Sequence, residues 1–584
     1  MAQDFDPIIS QNFNGGEVTT DPVLLKPNEL QYGKNIRFSL AGGFTNRPGY
    51  LALSFPSALE TAPIKGMYAT ATEIFFVSNG KLFVTLSDLS DAFEIASGLN
   101  TTVKNRFLEF NGTLYLFNGE DELRRISIST INTDVVASSS TSVDIRAGQG
   151  WKYPSSGTVT IVNSSGADNI TVTNRSSDTL TITAATVGIN SFIGDKIYYV
   201  QTIADSTAPR FAAGVEFKNR FLGCIPKGKV GTNYQGNLLF YGRPATGVNP
   251  DYFHDFVTSP AGYIPVGDQG DIVSIYKVKS YVIVKKKKGV FLVTDFDSTT
   301  GVPLIEPLTG AYGAASPDSS CLVGDQLITF TGKEIKQFGE QEGLNNLRPS
   351  INPQFDDKIY KILSGLDEDQ SDSFAVFNSA QRLAKFLVKS NNIKFFIVYD
   401  DKIDAWSRDY NKNASCSVVY QNETFWGSDS ECVIYQDEVG YDDNGNDIES
   451  SVAIFETDAG SPRLSKYFKT LFIKGRLGEN TTVTVKIYFD GQLIQQFNLI
   501  ASDLITPYGG TAIGRNRIGG GIIGSSSAAM VAYDFSIEKL LKKRKNVGKM
   551  YVTFETSGQG QVFEISGVQI EGSYSAKFDK LIRK

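Results

Sequence analysis

The sequence predicts an all-β protein: a β-propeller with an inserted small β module and a C-terminal β-sandwich-like domain. Three observations predict it. Short apolar strands recur in pairs across tight turns, one Ser/Thr-rich stretch interrupts the series, and long alternating strands replace the pairs near the C-terminus.

The paired strands come first. "EIFFVSNGKLFVTL" runs strand, Asn79–Gly80, strand, and "NRFLEFNGTLYLFNGEDELRRISI" repeats the scheme around Asn111–Gly112. Asn-Gly between apolar runs is the strongest short-range hairpin signal, because a two-residue hairpin turn needs positive φ at both central positions. The same grammar returns in "NRFLGCI…NLLFYGRP", "SYVIVKKKKGVFLVTDF", "DQLITFTGKEIKQFG", "FFIVYDDKIDAWSRDY" and "ETFWGSDSECVIYQDE". Units of roughly 40–50 residues built from antiparallel strands point to propeller blades, whose radial arrangement leaves only short edges. The pentapeptide "KNRFL", at Lys104–Leu108 and Lys218–Leu222, is expected to open an inner hairpin in two blades. The plainer reading is two unrelated strand starts that match by chance.

The interruption spans residues 133–202. "GTVTIV", "NITVTN" and "TLTITA" alternate strictly, as half-exposed strands do. The chain therefore divides into an N-terminal segment with the first blades (1–132), the inserted module (133–202), the remaining blades (203–447) and a C-terminal β domain (448–584). Helix is expected only at Phe355–Leu363 and Tyr533–Lys545, where apolar residues fall at helical spacing.

Composition narrows the function classes. Apolar residues at 41% mean a folded chain, and 584 residues are too many for one ordinary core. A net charge of −7 argues against tight nucleic-acid binding, which needs a basic footprint. No apolar run approaches a membrane span, and "MAQDFDPIISQNFNGG" lacks the build of a signal peptide. Cys224, Cys321, Cys416 and Cys432 have no paired spacing, which predicts buried free thiols and folding in a cytoplasm.

Candidate chemistry is sparse. His254 is the single histidine, which removes most general-base, triad and histidine-metal schemes; its aromatic loop suggests a packing or capping role. "YDDNGND" at Tyr441–Asp447 resembles a calcium loop, but the first and twelfth positions fall on Gly440 and Ser451 where Asp and Glu are needed, so an Asx-rich turn is favoured. Asp400 and Asp401 could serve a glycosidase only if two carboxylates face each other across a sugar. Trp151, Trp406 and Trp426 could stack on sugars, although blade tryptophans usually build core. Lys285–Lys288 reads as a solvated hairpin tip. "GGTAIGRNRIGGGIIGSSS" at Gly509–Ser527 has no phosphate-loop pattern. Its Gly509, Gly510, Arg515, Arg517, Gly519, Gly520 and Gly521 are the candidate channel or partner loop; the plainer reading is a solvated loop between strands. No catalytic residue, cofactor or metal site is predicted.

Several stretches resemble the tail nozzle, or tail tubular stabilisation, proteins of short-tailed bacteriophages. They are "FNGGEVTTDPVLLKPNELQYGKNIRFSLAGGFTNRPGY", "LLFYGRPATGVNPDYFHDF", "IVSIYKVKSYVIVKKKKGVFLV", "GAASPDSSCLVGDQLITFTGKEIKQFG", "VYDDKIDAWSRDY" and "ESSVAIFETDAGSPRLSKYFKTLFIKGR". Their order carries the likeness over roughly Phe13–Leu477; the Ser/Thr-rich insertion has no counterpart in it. The resemblance implies a non-enzymatic virion protein that forms a tail ring of about six copies. Such a ring sits below an adaptor, with fibres or distal parts beside or below it, retains packaged double-stranded DNA and later passes it on. The alternative is a carbohydrate-binding or carbohydrate-degrading receptor-recognition propeller.

Overall fold

The described residues of the computed structural model are 4–13, 15–19, 25–55, 61–225, 236–246, 250–267, 270–340, 349–352, 354–454, 456–460, 464–501, 532–542, 544 and 547–574. Among them, seven four-stranded antiparallel meanders follow one another. Blade 1 is Ile64–Ala69, Ile74–Ser78, Lys81–Thr85 and Ala92–Ala96. Blade 2 is Arg106–Phe110, Thr113–Phe117, Arg124–Thr130 and Lys196–Thr202. Blade 3 is Ala213–Phe217, Arg220–Cys224, Leu238–Tyr241 and Gly262–Pro265. Blade 4 is Ile272–Val278, Tyr281–Lys286, Val290–Phe296 and Pro303–Thr309. Blade 5 is Ser320–Val323, Gln326–Phe330, Ile335–Glu340 and Pro349–Asn352. Blade 6 is Ala375–Asn378, Leu383–Ser390, Ile393–Asp400 and Ala405–Asp409. Blade 7 takes Ala414–Tyr420, Glu423–Ser428 and Ile434–Asp437 from late in the chain, and Tyr50–Ala52 from its beginning.

Each gap between neighbouring blades holds its own apolar cluster. Phe75 and Val84 of blade 1 meet Leu114 and Ile126 of blade 2, and Tyr115 and Phe117 of blade 2 meet Phe221 and Phe240 of blade 3. Further clusters fill the gaps on to blade 7 and back to blade 1. This explains the apolar runs in the sequence. A second strand such as Thr113–Phe117 is covered on both faces, so every one of its residues is buried and no alternation survives. The turns behave as their residues require: Asn79–Gly80 and Asn111–Gly112 have positive φ at both positions.

The pentapeptide is corrected. Its first copy leads into the innermost strand of blade 2, whereas Lys218–Asn219 form the turn between the first and second strands of blade 3. Phe107–Phe117 and Phe221–Tyr241 do lie in neighbouring blades of one propeller. The identical letters are one strand out of phase, because Lys-Asn serves both as a lead-in and as a left-handed turn.

The Ser/Thr-rich module grows out of blade 2. Lys196–Thr202 pairs with Arg124–Thr130 on one side and with Gly157–Asn163 on the other, so the blade sheet runs on into Gly166–Ser176, Thr179–Ile182 and Ser142–Asp144. The module has its own core of Val143, Val159, Ile161, Ile170, Val172 and Leu180, with Ile197 of the shared strand.

The sandwich is built from both ends of the chain around one core. One sheet joins Ile8–Gln11, Ile36–Phe38 and Phe44–Asn46 to Lys466–Gly478, Ala532–Leu540 and Phe563–Tyr574. The other joins Gly16–Glu17 and Glu29–Lys34 to Ser450–Ile454, Thr482–Phe489, Gln492–Ile500 and Met550–Thr556. Lys34 pairs with Arg408, which makes this second sheet continuous with blade 6. The helix expected at Tyr533–Lys545 is corrected: Ala532–Leu540 is a strand paired with Lys466–Gly478. Phe535 is buried while Asp534, Ser536 and Glu538 are exposed, so the true period is two. At Phe355–Leu363 the structure has a 3-10 turn, Asp357–Ile359, and a short helix, Tyr360–Ser364.

Where blades 6 and 7 meet the N-terminal strands, charges are buried together. Arg37 forks onto Asp409 at 2.7 and 2.6 Å and also binds Glu438. Lys385 reaches Asp437 at 2.7 Å and also binds Glu438. Lys412 reaches Asp437 at 2.6 Å and Asp409 at 3.1 Å. Arg47 forks onto Asp443 at 2.8 and 2.7 Å. Burial opposes ionisation of Asp409 and Asp437, but the surrounding cations outweigh it and hold both well below the usual carboxylate range.

Two outcomes are expected. Asp437→Asn removes one of the two carboxylates that each of the buried Lys385 and Lys412 binds, leaves the cluster with an excess buried positive charge, and should lower unfolding stability by about 3 kcal/mol in denaturant titrations; a loss under about 1 kcal/mol would mean that water reaches the cluster. Ile131 and Asp195 are hydrogen-bonded neighbours at the root of the module, N–H to carbonyl at 3.0 Å. Replacing residues 132–194 by Asn-Gly should therefore leave a soluble, β-rich protein with one cooperative melt. Aggregation or a non-cooperative melt would show that blade 2 needs the module.

Candidate functional site in the propeller channel

The innermost strands of all seven blades line one central cavity of about 690 Å³. Small residues allow the strands to crowd there. At Gly66 a side-chain carbon would stand 2.2 Å from the Asn105 carbonyl oxygen, so any larger residue would push blades 1 and 2 apart.

The mouth of the channel is strapped. Arg106 of blade 2 reaches the opposite wall and binds Asp318, at the start of blade 5, through Nε and Nη2, both at 2.8 Å. Its Nη1 donates to the Ala212 carbonyl of blade 3 at 3.0 Å. Two positions earlier, Lys104 donates to the Asp372 carbonyl at 2.8 Å and lies over the Phe374 ring, both beside blade 6. Two adjacent cations of one blade thus tie three others. Burial lowers the Lys104 ammonium, with nearby Asp318 opposing the effect. Asp318 is lowered: burial alone would raise its carboxyl, and Arg106 wins. Further along, Tyr276 of blade 4 donates its hydroxyl to Ser320 O of blade 5 at 2.6 Å, and Lys277 pairs with Glu216 of blade 3. The cavity can hold a small molecule, in the size range of ordinary ligand pockets. It cannot thread a polymer past the Arg106–Asp318 strap.

The residues singled out in the sequence fall in several places. The loop Gly509–Ser527, with Arg515 and Arg517, lies outside the described residues. His254 ends a 3-10 turn beside Tyr115 in the cluster between blades 2 and 3. Asp401 pairs with Arg382, and Asp400 accepts the Lys402 N–H. In "YDDNGND", Asp442 accepts the Gly445 N–H and Asp443 is the partner of Arg47, so the turn serves the buried cluster. Among the described residues no group of three or more His, Cys, Asp or Glu could hold a metal ion. Trp406 and Trp426 are core, at 1% and 3% exposure, whereas Trp151 is 39% exposed. The four cysteines are free.

The lysine run is a correction. Only Lys287 and Lys288 are exposed; Lys285 and Lys286 belong to the buried second strand of blade 4. Lys285 donates to Ser320 Oγ and to Thr329 Oγ1 at 3.0 Å and faces the Tyr276 ring. Burial brings its ammonium down to about 7 and pushes the neighbouring Cys321 thiol up to about 12. Nothing in the local sequence distinguishes the two buried lysines from the two exposed ones. The Arg106–Asp318 strap was equally invisible, since its partners are 212 residues apart.

No family model matches the chain, and no curated protein does. Among solved structures it is similar to the computationally designed protein Ika8, at 8% identity and TM-score 0.33, over 66% of this chain and 99% of that one. It is also similar to the WD40 domain of Neurospora crassa Pan2, at 10% identity and TM-score 0.31, over 68% and 97% of the two chains. The propeller assignment rests on the strand order itself.

Lys285 gives a pH test. Its folded value near 7 lies below the ordinary 10.5. Between these values the unfolded chain holds a proton that the folded chain lacks, so stability gains from this group as pH rises from about 7 to about 10. Lys285→Met should be more stable than the parent by about 1–3 kcal/mol at pH 6, because Ser320 and Thr329 still bond each other at 3.1 Å. The advantage should shrink toward pH 10 in thermal melts. The same gain at every pH would mean that Lys285 does not titrate in the folded protein.

Proposed function

We propose that the chain is a structural, non-enzymatic subunit of a bacteriophage tail, a nozzle or hub protein that closes into a ring of about six copies. The observation that carries this reading is the continuity of the two parts of the fold. A strapped propeller shares one continuous sheet with a sandwich, and a buried ionic cluster bolts the two together. Such a block suits a wall that must resist pressure. The order of motifs across Phe13–Leu477 supports the same assignment.

The geometry also bears on where DNA would pass. The strapped channel within each propeller is closed to it, so double-stranded DNA would run through a lumen enclosed by neighbouring copies. A net charge of −7 suits a lumen that must not trap a moving polyanion. An adaptor above and fibres or distal tail parts beside or below would complete the assembly, and the Gly509–Ser527 loop is a natural element for narrowing the lumen.

Mass photometry and negative-stain imaging of purified protein, alone and with its neighbouring tail proteins, test this. A closed ring of about six copies is expected. A monomer under all these conditions would sink the reading, as would release of sugar from envelope polysaccharide that a single Asp or Glu substitution abolishes.

A further inference from the structure

The outer face of the second sandwich sheet is an ordered polar surface. Val452, Val485 and Phe554 fill the sandwich core, so the residues next to them in each strand face outward. Strand register sets Lys34, Ser451, Glu555, Thr484 and Asn498 side by side in one row across five strands. Two residues along each strand, a second row runs Tyr32, Ala453, Thr553, Lys486 and Gln496. With neighbouring strands about 4.8 Å apart, each row spans roughly 19 Å. The surface is not flat. Lys34, Ser451, Thr484 and Glu555 are half-buried although they face away from the core, and with Tyr32 they line a groove of about 450 Å³.

The chemistry of the groove narrows the ligand. Its charges are matched within the protein: Lys34 pairs with Glu449 at 2.9 Å and Lys486 with Glu555 at 2.5 Å. A polyanion meets no excess of positive charge there, which disfavours nucleic acid and acidic chains. A protein partner calls for an apolar centre, whereas Ser451, Thr482, Thr484 and Ser557 surround this one with hydroxyls. A carboxylate held by one lysine keeps acceptor sites for the hydroxyls of a ligand. Tyr32 adds an aromatic surface, its ring steadied by Arg408, whose Cζ is 4.5 Å from the ring centre. On the same face, two residues beyond Lys486 and Thr553, Tyr488 and Tyr551 lie parallel at 4.5 Å and extend that surface. Paired charges, hydroxyls and tyrosine rings suit an uncharged, polyhydroxylated chain.

We propose that this groove binds a neutral oligosaccharide laid across the strands, its hydroxyls exchanging hydrogen bonds with Ser451, Thr484 and Glu555 and one sugar face resting on Tyr32. The groove binds without cleaving, and it does not depend on the ring assignment: a monomer could carry it, and a ring could lack it.

A glycan array probed with the full chain tests it, carrying oligomers of glucose, mannose, galactose and xylose of graded length, with oligogalacturonate as the acidic comparison. Binding to a neutral series is expected, rising with length until the oligomer spans the rows. In calorimetric titrations with the best-bound oligomer, affinity should fall by about tenfold in Tyr32→Ala and by more in Thr484→Arg, which fills the groove. Tyr32→Phe, which keeps the ring, should bind as the parent does. Thermal melts of each variant confirm folding, and Thr484→Arg alters a side chain that points away from the core. No neutral oligomer bound by the folded parent, equal affinity in parent and Thr484→Arg, or preference for oligogalacturonate would each overturn the proposal.

Discussion

The buried ionic cluster where blades 6 and 7 meet the N-terminal strands is the constraint on which the architecture depends. Arg37, Arg47, Lys385 and Lys412 face Asp409, Asp437, Glu438 and Asp443, four cations against four carboxylates. Removing any one of these ions from water costs several kcal/mol, and only a close, correctly placed partner offsets that cost. The set is satisfied together or not at all. Its value lies less in net stability than in specifying one closure: a strand slipped by one residue would leave uncompensated charge in a dry site.

That closure is long-range. Arg37 and Glu438 are 401 residues apart, so the first residues of the chain must wait for the last blade before their charges are covered. The same wait applies to Tyr50–Ala52, which completes blade 7, and to the sandwich, whose core draws on Phe13, Leu30 and Phe44 as well as Leu471, Val485 and Phe554. Folding therefore depends on contacts of high sequence separation, which are slow to form. In return, the propeller cannot open without breaking the sandwich, and the sandwich cannot detach without exposing the cluster.

What could be read from the sequence follows from range. Asn79–Gly80 and Asn111–Gly112 were legible because a two-residue turn states its demand locally, in positive φ. The module was legible because its strands have one exposed face and so alternate. Strands covered on both faces still announced themselves as apolar runs, but those runs concealed Lys285 and Lys286, whose fitness for burial depends on groups in other strands and in blade 5. Ala532–Leu540 was misread because Tyr-Asp-Phe-Ser-Ile-Glu-Lys satisfies helical and extended periods alike, and only pairing with Lys466–Gly478 decides between them. The channel strap and the closing strand left no local trace.

The distribution of satisfied charge also bears on where recognition can occur. In the channel, Arg106 and Asp318 already neutralise each other across the opening, and Lys277 is matched by Glu216. A ligand entering there would have to displace interactions that hold the blades together. The inserted module is placed differently. It is attached through one shared strand and has its own apolar core, a position where a surface can be presented without loosening the propeller beneath it.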